Sequence, residues 1–146
     1  MRYLARLGRS TAFLGVLPLA LSCASTGPSE SLLPPAAVAL EPPAIYAEWH
    51  ARTQACSGLS GDLGRVEFYV VPGVDAFPTK EGAKVGLWTR EGNSTRIVIA
   101  GNFVDHEMVV RHEMLHDLLG REGHPAEFFV SKCQLTWDSW HAAGGD

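Results

Sequence analysis

The sequence predicts one small α+β domain, and two observations lead to this fold class. Segments with the two-residue alternation of strands lie in the middle of the chain, and segments with helical spacing lie before and after them. The chain has 146 residues, of which 46% are hydrophobic and 19% are charged, enough for one core and too few for two. We expect a backing helix, a short twisted sheet with a hairpin, a central helix and a C-terminal helix.

The first 22 residues carry the pattern of an export signal. Arg2, Arg6 and Arg9 precede an apolar run over residues 12–21, which ends in small residues. The run is about half of the roughly 20 residues that a membrane-spanning helix needs. We therefore expect residues 1–22 to be a signal peptide and not a permanent anchor helix.

At the end of this run, the sequence LALSC resembles the lipobox of bacterial lipoproteins, in which the cysteine becomes the lipidated first residue. Cys23 holds that position, whereas Ala20 and Leu21 depart from the usual order of a branched apolar residue followed by a small one. The resemblance implies a protein of the bacterial cell envelope, anchored by its lipid to the outer membrane and facing the periplasm. Ordinary signal-peptidase cleavage, which would give a secreted protein, stays open.

A segment rich in Pro, Ser and Ala follows, and it predicts a tether over residues 23–43. The folded domain is then expected to span residues 44–146. Cys56 and Cys133 are the two cysteines inside it, and in an oxidising compartment the simplest assignment is a disulfide between them. Free buried thiols, or Cys133 as a metal ligand, are the alternatives.

The domain is predicted to begin with the backing helix and the sheet. Ile45, Trp49 and Ala55 have helical spacing after a pair of prolines, which predicts the backing helix. The segment RVEFYVVPG predicts a strand, and KVGLWTR and STRIVIAG predict a hairpin. The stretch GVDAFPTKEGA between these strands is expected to be a loop because of its glycines and proline.

A helix over residues 106–119 is predicted to follow the sheet. Asp105 is its expected N-cap, and Gly120 is expected to end it in a left-handed conformation. Apolar residues on two sides of this helix indicate that the sheet covers one side and the backing helix the other. Arg111 and Asp117 are expected to be its exposed polar positions.

This central helix carries the pattern of a metal site. His112 and His116 lie one turn apart on one face, and Glu113 directly follows the first of them. Two imidazoles at this spacing can both direct a ring nitrogen to a tetrahedral Zn²⁺, and the glutamate can reach a water on the open position of the metal. The pattern predicts zinc-dependent hydrolysis of peptide bonds by a metal-activated water, with Glu113 as general base.

The motif resembles that of the zincin metallopeptidases, and its closest counterpart is the metzincin pattern H-E-x-x-H-x-x-G-x-x-H. That resemblance implies a small zincin-like fold and a third histidine ligand after a glycine turn. Gly120 and His124 fit this role with a spacing stretched by two residues. Glu122, in the metzincin register, and Glu127 are the alternative third ligands. The methionine turn of metzincins has no counterpart, since no methionine follows Met114.

Composition limits the partners that we expect. The net charge of -4 and the pI near 5.8 leave no basic surface for nucleic acid. We expect a monomer that acts on a peptide or protein substrate and touches the membrane only through its lipid. The alternative is a non-catalytic, disulfide-linked lipoprotein that binds zinc or a protein partner. Glu113 favours the enzyme, because a purely structural zinc site has no need of a carboxylate beside its first ligand.

The remaining histidines and the C-terminal apolar residues have less specific interpretations. His50, His106 and His141 are expected to be exposed or hydrogen-bonded, and not to bind metal. Five residues are expected to pack in the core and to let a terminal helix cover the base of the site: Phe128, Phe129, Val130, Leu135 and Trp137.

Overall fold

Helices and strands combine in an α+β domain, as the sequence predicts. The computed structural model describes residues 33–145. The predicted signal peptide over residues 1–22, Cys23 and the first part of the predicted tether lie outside the described residues. Within the described part, no helix has the length and apolar character that crossing a membrane requires.

The strands form two sheets. In chain order they are β1 (Val38–Ala39), β2 (Val66–Val71), β3 (Phe77–Thr79), β4 (Gly82–Lys84), β5 (Gly86–Glu91) and β6 (Ser94–Ala100). The main sheet has the order β1-β2-β6-β5, in which β2 and β6 are parallel while β1 and β5 run antiparallel to their neighbours. The predicted hairpin is β5 and β6, and β5 is the edge strand of this sheet.

The helices are α1 (Ile45–Ser57), α2 (Glu107–Leu119) and α3 (Trp137–Ala142), and a π-helical turn (Glu127–Lys132) precedes α3. α2 lies between the main sheet and α1, as expected for a helix with two apolar sides. The first turn of α1 buries Tyr46 and Trp49, whereas Ile45 is exposed and does not belong to the core face as its spacing had predicted.

β1 lies inside the segment predicted to be a tether, residues 23–43. It pairs with β2, and the backbone N–H of Leu40 donates to the carbonyl of Phe68 at 2.8 Å. The Leu40 side chain also packs against the main core. The sheet therefore begins ahead of the expected domain start at residue 44.

The prediction of a loop between the strands now named β2 and β5 was wrong, because this stretch contains the hairpin of β3 and β4. Each strand has three residues, and only Phe77 is fully buried, in a small core with Val71 and Val98. One inward apolar side chain gives no alternation that a sequence pattern can reveal. The hydroxyl of Thr79 donates to the carbonyl of Gly82 at 2.7 Å and closes the turn.

α2 starts one residue later than predicted, and the prediction that Asp105 caps it was wrong. The N-cap position belongs to His106, whose side chain makes no capping hydrogen bond. A 3₁₀ turn (Gly101–Phe103) leads into the helix, and the His106 N–H donates to the Phe103 carbonyl at 3.0 Å. The C-terminal prediction is confirmed, since Gly120 has a φ of 63° and its N–H donates to the carbonyls of the last turn.

Two charged residues of α2 that were predicted to be exposed are buried, so these predictions were wrong. Arg111 is 8% exposed and Asp117 is 7% exposed. Arg111 Nε donates to Thr53 Oγ1 of α1 at 3.1 Å, and its Nη1 donates to Glu107 at 2.7 Å. α1 packs across this sector of α2, and helical spacing alone does not show which sector a neighbouring helix covers.

The predicted disulfide between Cys56 and Cys133 is present and joins the last turn of α1 to the segment before α3. Its two cysteines are 77 residues apart in the sequence. Closing a loop of this length stabilises the fold by about 4.5 kcal/mol in the chain-entropy model. Cys133 is therefore not available as a metal ligand.

Gly101 fixes the position at which the chain leaves β6 for α2. A Cβ at this residue would lie 2.6 Å from the backbone nitrogen of Gly73 and 3.0 Å from the carbonyl oxygen of Val71. Because backbone atoms cannot move aside easily, we expect Gly101→Ala to lower the free energy of unfolding by about 1–3 kcal/mol in urea titrations. Gly64→Ala is the control, since its Cβ would meet only a side-chain oxygen of Asp62. Equal stability of the two variants would contradict this account of the junction.

Candidate metal centre

Three histidine side chains converge beside α2. His112 and His116 belong to α2, and His124 belongs to the loop that follows it. The Nε2 atom of His124 lies 2.9 Å from Nε2 of His112 and 3.3 Å from Nε2 of His116. The ligand atoms of the three residues all lie within 4.8 Å of one another, so these histidines lie close enough to bind one metal ion.

The loop after α2 brings His124 to the other two histidines despite its stretched spacing. Gly120 and Gly123 both have positive φ, 63° and 85°, which lets the chain reverse over four residues. In the part of the chain that the structure describes, the cluster includes neither Glu122 nor Glu127. The Glu127 carboxylate instead forms an ion pair with Lys132 on the surface, with 2.7 Å between Oε1 and Nζ.

Backbone carbonyls orient two of the imidazoles. His112 Nδ1 lies 2.6 Å from the carbonyl oxygen of Leu135, and His116 Nδ1 lies 3.1 Å from that of Arg121. Since a carbonyl oxygen only accepts hydrogen bonds, each Nδ1 carries the hydrogen and donates it. In the neutral ring this leaves the lone pair on Nε2, the atom that faces the centre of the cluster.

Burial also keeps these imidazoles uncharged. It lowers the pKa of His112 and of His116 to about 4, and the neighbouring histidines add to this effect. The pKa of His124 is lowered as well, by burial and by the positive charge of Lys84. A metal ion needs the neutral form of histidine, so at neutral pH the cluster presents three ligands that hold no competing proton.

Phe129 forms an apolar floor under the cluster. Its ring is fully buried, and its centroid lies 4.8 Å from the rings of His112 and His116 and 4.9 Å from that of His124. Phe129 and Leu135 are core residues as predicted, whereas Val130 and Trp137 are 45% and 42% exposed, so their assignment to the core was wrong. The π-helical turn directs Phe129 inward and Val130 outward, and Trp137 opens α3 at the rim of a cleft.

Glu113 points from α2 toward β5 and is 6% exposed. The backbone N–H of Trp88 donates to its carboxylate. Burial raises the pKa of Glu113 to about 8, against the opposing effects of the Lys84 charge and the Trp88 N–H. A carboxyl group with a pKa near neutrality can both accept and return a proton at neutral pH.

Gly86 makes room for this carboxylate, although it was not among the site residues predicted from the sequence. A Cβ at Gly86 would lie 2.5 Å from Glu113 Oε1 and 2.9 Å from Glu113 Cγ. The available signal was a glycine inside a predicted strand, which often marks a close approach of another group. The close approach of β5 to α2 at Gly86 thus fixes the position of the Glu113 carboxyl group.

The cluster and Glu113 face a cleft of about 940 Å³. Its walls come from the hairpin of β3 and β4, the edge strand β5, α2 and the start of α3. Trp88, Leu135 and Trp137 supply apolar surface, and Lys84 supplies a positive charge. The Trp88 ring lies nearly parallel to that of His116, with 6.2 Å between centroids. Lys84 and Trp88 had not been assigned to the site from the sequence, whereas Leu135 and Trp137 had been expected only in the core at its base.

The other histidines do not join the metal cluster in the part of the chain that the structure describes. His50 is buried in α1, where its Nδ1 lies 3.3 Å from Gln54 Nε2. The expectation for His106 was wrong: it is half-buried against the rings of Phe103 and Trp137, and its buried Nδ1 has no hydrogen-bond partner among the described residues. His141 is exposed near the C-terminus, as expected.

Comparison with protein-family models, with curated proteins and with solved structures gave no match to this chain. The resemblance to zincins thus stays an expectation from the motif, and the case for a metal centre rests on the geometry of its own residues.

Gly86→Ala should displace the Glu113 carboxyl group without removing a metal ligand. The added methyl group would push the carboxylate toward solvent, so the pKa of Glu113 should fall from about 8 toward its ordinary value of 4.5. Carbon-13 NMR of labelled glutamate in the metal-free protein can measure this shift. Val98→Ala, on the opposite face of the sheet, is the control and should leave the pKa unchanged. An unaltered Glu113 pKa in Gly86→Ala would refute the role given to Gly86.

Metal affinity should fall less between pH 7 and pH 5.5 than it would for three ordinary histidines. At that pH a histidine with the ordinary pKa of 6.5 is mostly protonated, whereas His112 and His116, with pKa values of about 4, are still neutral. At these two ligands protons should therefore compete with the metal only as the pH approaches about 4, and the lowered pKa of His124 acts in the same direction. Calorimetric titration with Co²⁺ at pH 7 and pH 5.5 measures this, with a flexible tri-histidine peptide as control. A loss of affinity as large as that of the peptide would contradict the prediction.

Proposed function

We propose that this protein is a zinc metallopeptidase of the bacterial cell envelope, most simply an endopeptidase. The observation that carries the proposal is the convergence of three histidine Nε2 atoms next to a buried glutamate in an open cleft. The proposed location rests on the export signal and on the likeness of the segment before Cys23 to a lipobox. Both features lie in the sequence alone.

The donor set of the cluster fits zinc. Zn–N bonds of about 2.0–2.1 Å place the ligands of a tetrahedral ion roughly 3.3 Å apart. The closest Nε2 pairs here are separated by 2.9 Å and 3.3 Å, and imidazole nitrogen is a preferred zinc donor. Among the described residues no fourth side chain joins the three histidines. Three protein ligands with an open fourth position are typical of catalytic zinc, whereas structural zinc has four.

Zinc bound by His112, His116 and His124 would supply a more acidic water and a positive charge that favours a developing oxyanion. Glu113 would accept the proton of the attacking water at its carboxylate and later return it to the leaving amine nitrogen. The Trp88 N–H holds this carboxylate in place, and the positive charge of Lys84 favours its ionised form. Burial works in the opposite direction, which suits a group that must give the proton back.

A peptide is the substrate that the cleft fits best. Among the described strands, β5 pairs with β6 alone, and residues 86–89 of β5 line the cleft. An extended peptide can add to such an edge by backbone hydrogen bonds, which depend little on its sequence. The apolar walls of Trp88, Leu135 and Trp137 can receive its side chains. These features favour proteolysis over hydrolysis of a small ester or amide.

Replacing Glu113 by glutamine separates the enzyme from a binding protein. Glutamine keeps the shape and the Trp88 hydrogen bond but cannot accept a proton, so casein cleavage should fall by at least about 100-fold. Elemental analysis should still find about one zinc per chain, because Glu113 is not a ligand. Equal cleavage by the parent and by Glu113→Gln would refute the mechanism.

The ligand variants complete the same experiment. His124→Ala should lose zinc together with activity, whereas Glu122→Ala and Glu127→Ala should keep both, since these carboxylates lie outside the cluster. Zinc loss in Glu122→Ala, with zinc retained in His124→Ala, would instead identify Glu122, in the metzincin register, as the third ligand. A parent protein that binds zinc and cleaves no unfolded protein would favour the alternative, a non-catalytic lipoprotein that binds zinc or a partner.

A further inference from the structure

Two supports of the histidine cluster come from one short segment, residues 129–135, which we name the supporting segment. At its start, the Phe129 ring lies against all three histidines. At its end, the Leu135 carbonyl accepts the hydrogen bond from His112 Nδ1 at 2.6 Å. The supporting segment thus sets both the floor under the cluster and the tautomer of one ligand.

The backbone of the supporting segment turns sharply at Gln134. This residue has a φ of 53°, and it is the only residue other than glycine with positive φ in the described part of the chain. Side chains with a Cβ adopt this conformation only where the surrounding structure holds it. The turn lets the Leu135 N–H donate back to the Phe129 carbonyl at 2.7 Å while the Leu135 carbonyl faces His112.

The disulfide holds this turn from its N-terminal side. Cys133 directly precedes Gln134, and its sulfur is bonded to Cys56 in the last turn of α1. α1 is fixed to α2 near this point, since Arg111 of α2 donates to Thr53 Oγ1 and its Nη2 lies 3.6 Å from Cys56 Sγ. The supporting segment is therefore tied covalently to α1, which packs against the helix that carries His112 and His116.

We propose that the Cys56–Cys133 disulfide positions the metal ligands, so that metal affinity depends on the oxidation of these two cysteines. The inference rests on the metal site of the proposed function and adds a control of that site. When both thiols are reduced, the supporting segment loses its tie to α1, and the Leu135 carbonyl no longer fixes His112 in the Nδ1–H form. The Nε2 lone pair of His112 is then no longer held toward His116 and His124.

The redox step itself is ordinary thiol–disulfide exchange. Forming the bond removes two electrons and two protons from the Cys56 and Cys133 thiols, and a disulfide-bonded oxidant takes them up and becomes a dithiol. Such oxidants act in the compartments to which exported proteins go. The chain would accordingly gain its full zinc affinity only after it has left a reducing compartment.

The test compares zinc affinity in the oxidised full chain and in the double variant Cys56→Ala/Cys133→Ala, by competition with a chromophoric chelator. We expect the zinc dissociation constant to rise about 10- to 100-fold, as is typical when a hydrogen-bond partner of a ligand is lost. Long-range ¹⁵N NMR of the metal-free proteins should show His112 protonated at Nδ1 in the parent and a mixture of tautomers in the variant. Circular dichroism establishes that the variant is folded.

A matched control separates positioning from general stability. Val98→Ala removes core volume on the face of the sheet away from α2, so it should lower stability while leaving the zinc dissociation constant unchanged. Equal zinc affinity in the parent and in the folded double-cysteine variant would overturn the inference. A comparable loss of affinity in Val98→Ala would overturn it too.

A second pair of variants covers the case in which the double-cysteine variant does not fold. Gln134 is exposed, so substitutions there act mainly through the backbone while the disulfide stays intact. Gln134→Val disfavours the left-handed turn and should weaken zinc binding several-fold, whereas Gln134→Gly accepts the turn and should not. Identical zinc affinities of these two variants would overturn the inference.

The outcomes also distinguish this inference from the proposed function. Zinc binding that depends on the disulfide, in a parent that cleaves no protein, would support the inference and contradict the peptidase. Protein cleavage by a parent whose zinc affinity does not depend on the disulfide would support the peptidase and contradict the inference. A parent that binds no zinc at all would overturn both.

Discussion

The hydrogen bond from His112 Nδ1 to the Leu135 carbonyl is the interaction on which the centre depends most. It joins α2 to a segment 23 residues further along the chain at a distance of 2.6 Å. Without it, burial would still keep the imidazole neutral, but nothing would choose which ring nitrogen carries the hydrogen. The choice of Nδ1 places the lone pair on Nε2, where His124 also arrives. One backbone carbonyl, placed by the fold, thus determines which nitrogen of His112 is free to bind a metal.

Buried polar groups on α2 follow two different physical patterns. Arg111 is surrounded by acceptors on α1 and on its own helix, so its burial is explained by a hydrogen-bonded contact between helices. Glu113 is equally buried, yet the Trp88 N–H and the Lys84 charge do not offset its loss of hydration, and its pKa rises to about 8. A carboxyl group held at this cost to stability, beside a cleft and a set of metal-ligand atoms, is typical of a functional group. The histidines share this feature, because burial lowers their pKa values and so favours the neutral form that binds metal.

Short elements supply part of the cleft wall and the support beneath the histidine cluster. The strands of the β3 and β4 hairpin have three residues each, the π-helical turn and α3 have six each, and none of these elements would be stable alone. They are held by a few deeply buried anchors, Phe77 for the hairpin and Phe129 and Leu135 for the C-terminal part, together with the disulfide. A domain this small depends on such covalent and point contacts, because its core alone supplies little stabilisation.

Structure within single helices and strands could be predicted from the sequence, whereas contacts between these elements could not. The spacing of His112, Glu113 and His116 is a property of one helix, and Gly120 ends that helix for a reason local to its backbone. Strand alternation likewise predicted β2, β5 and β6. The close approach of Gly86 to Glu113, the burial of Arg111 and the Leu135 carbonyl on His112 each join residues distant in the sequence. Helical and strand periods fix angles within an element, whereas packing between elements decides which sector is covered and which backbone group points at a ligand.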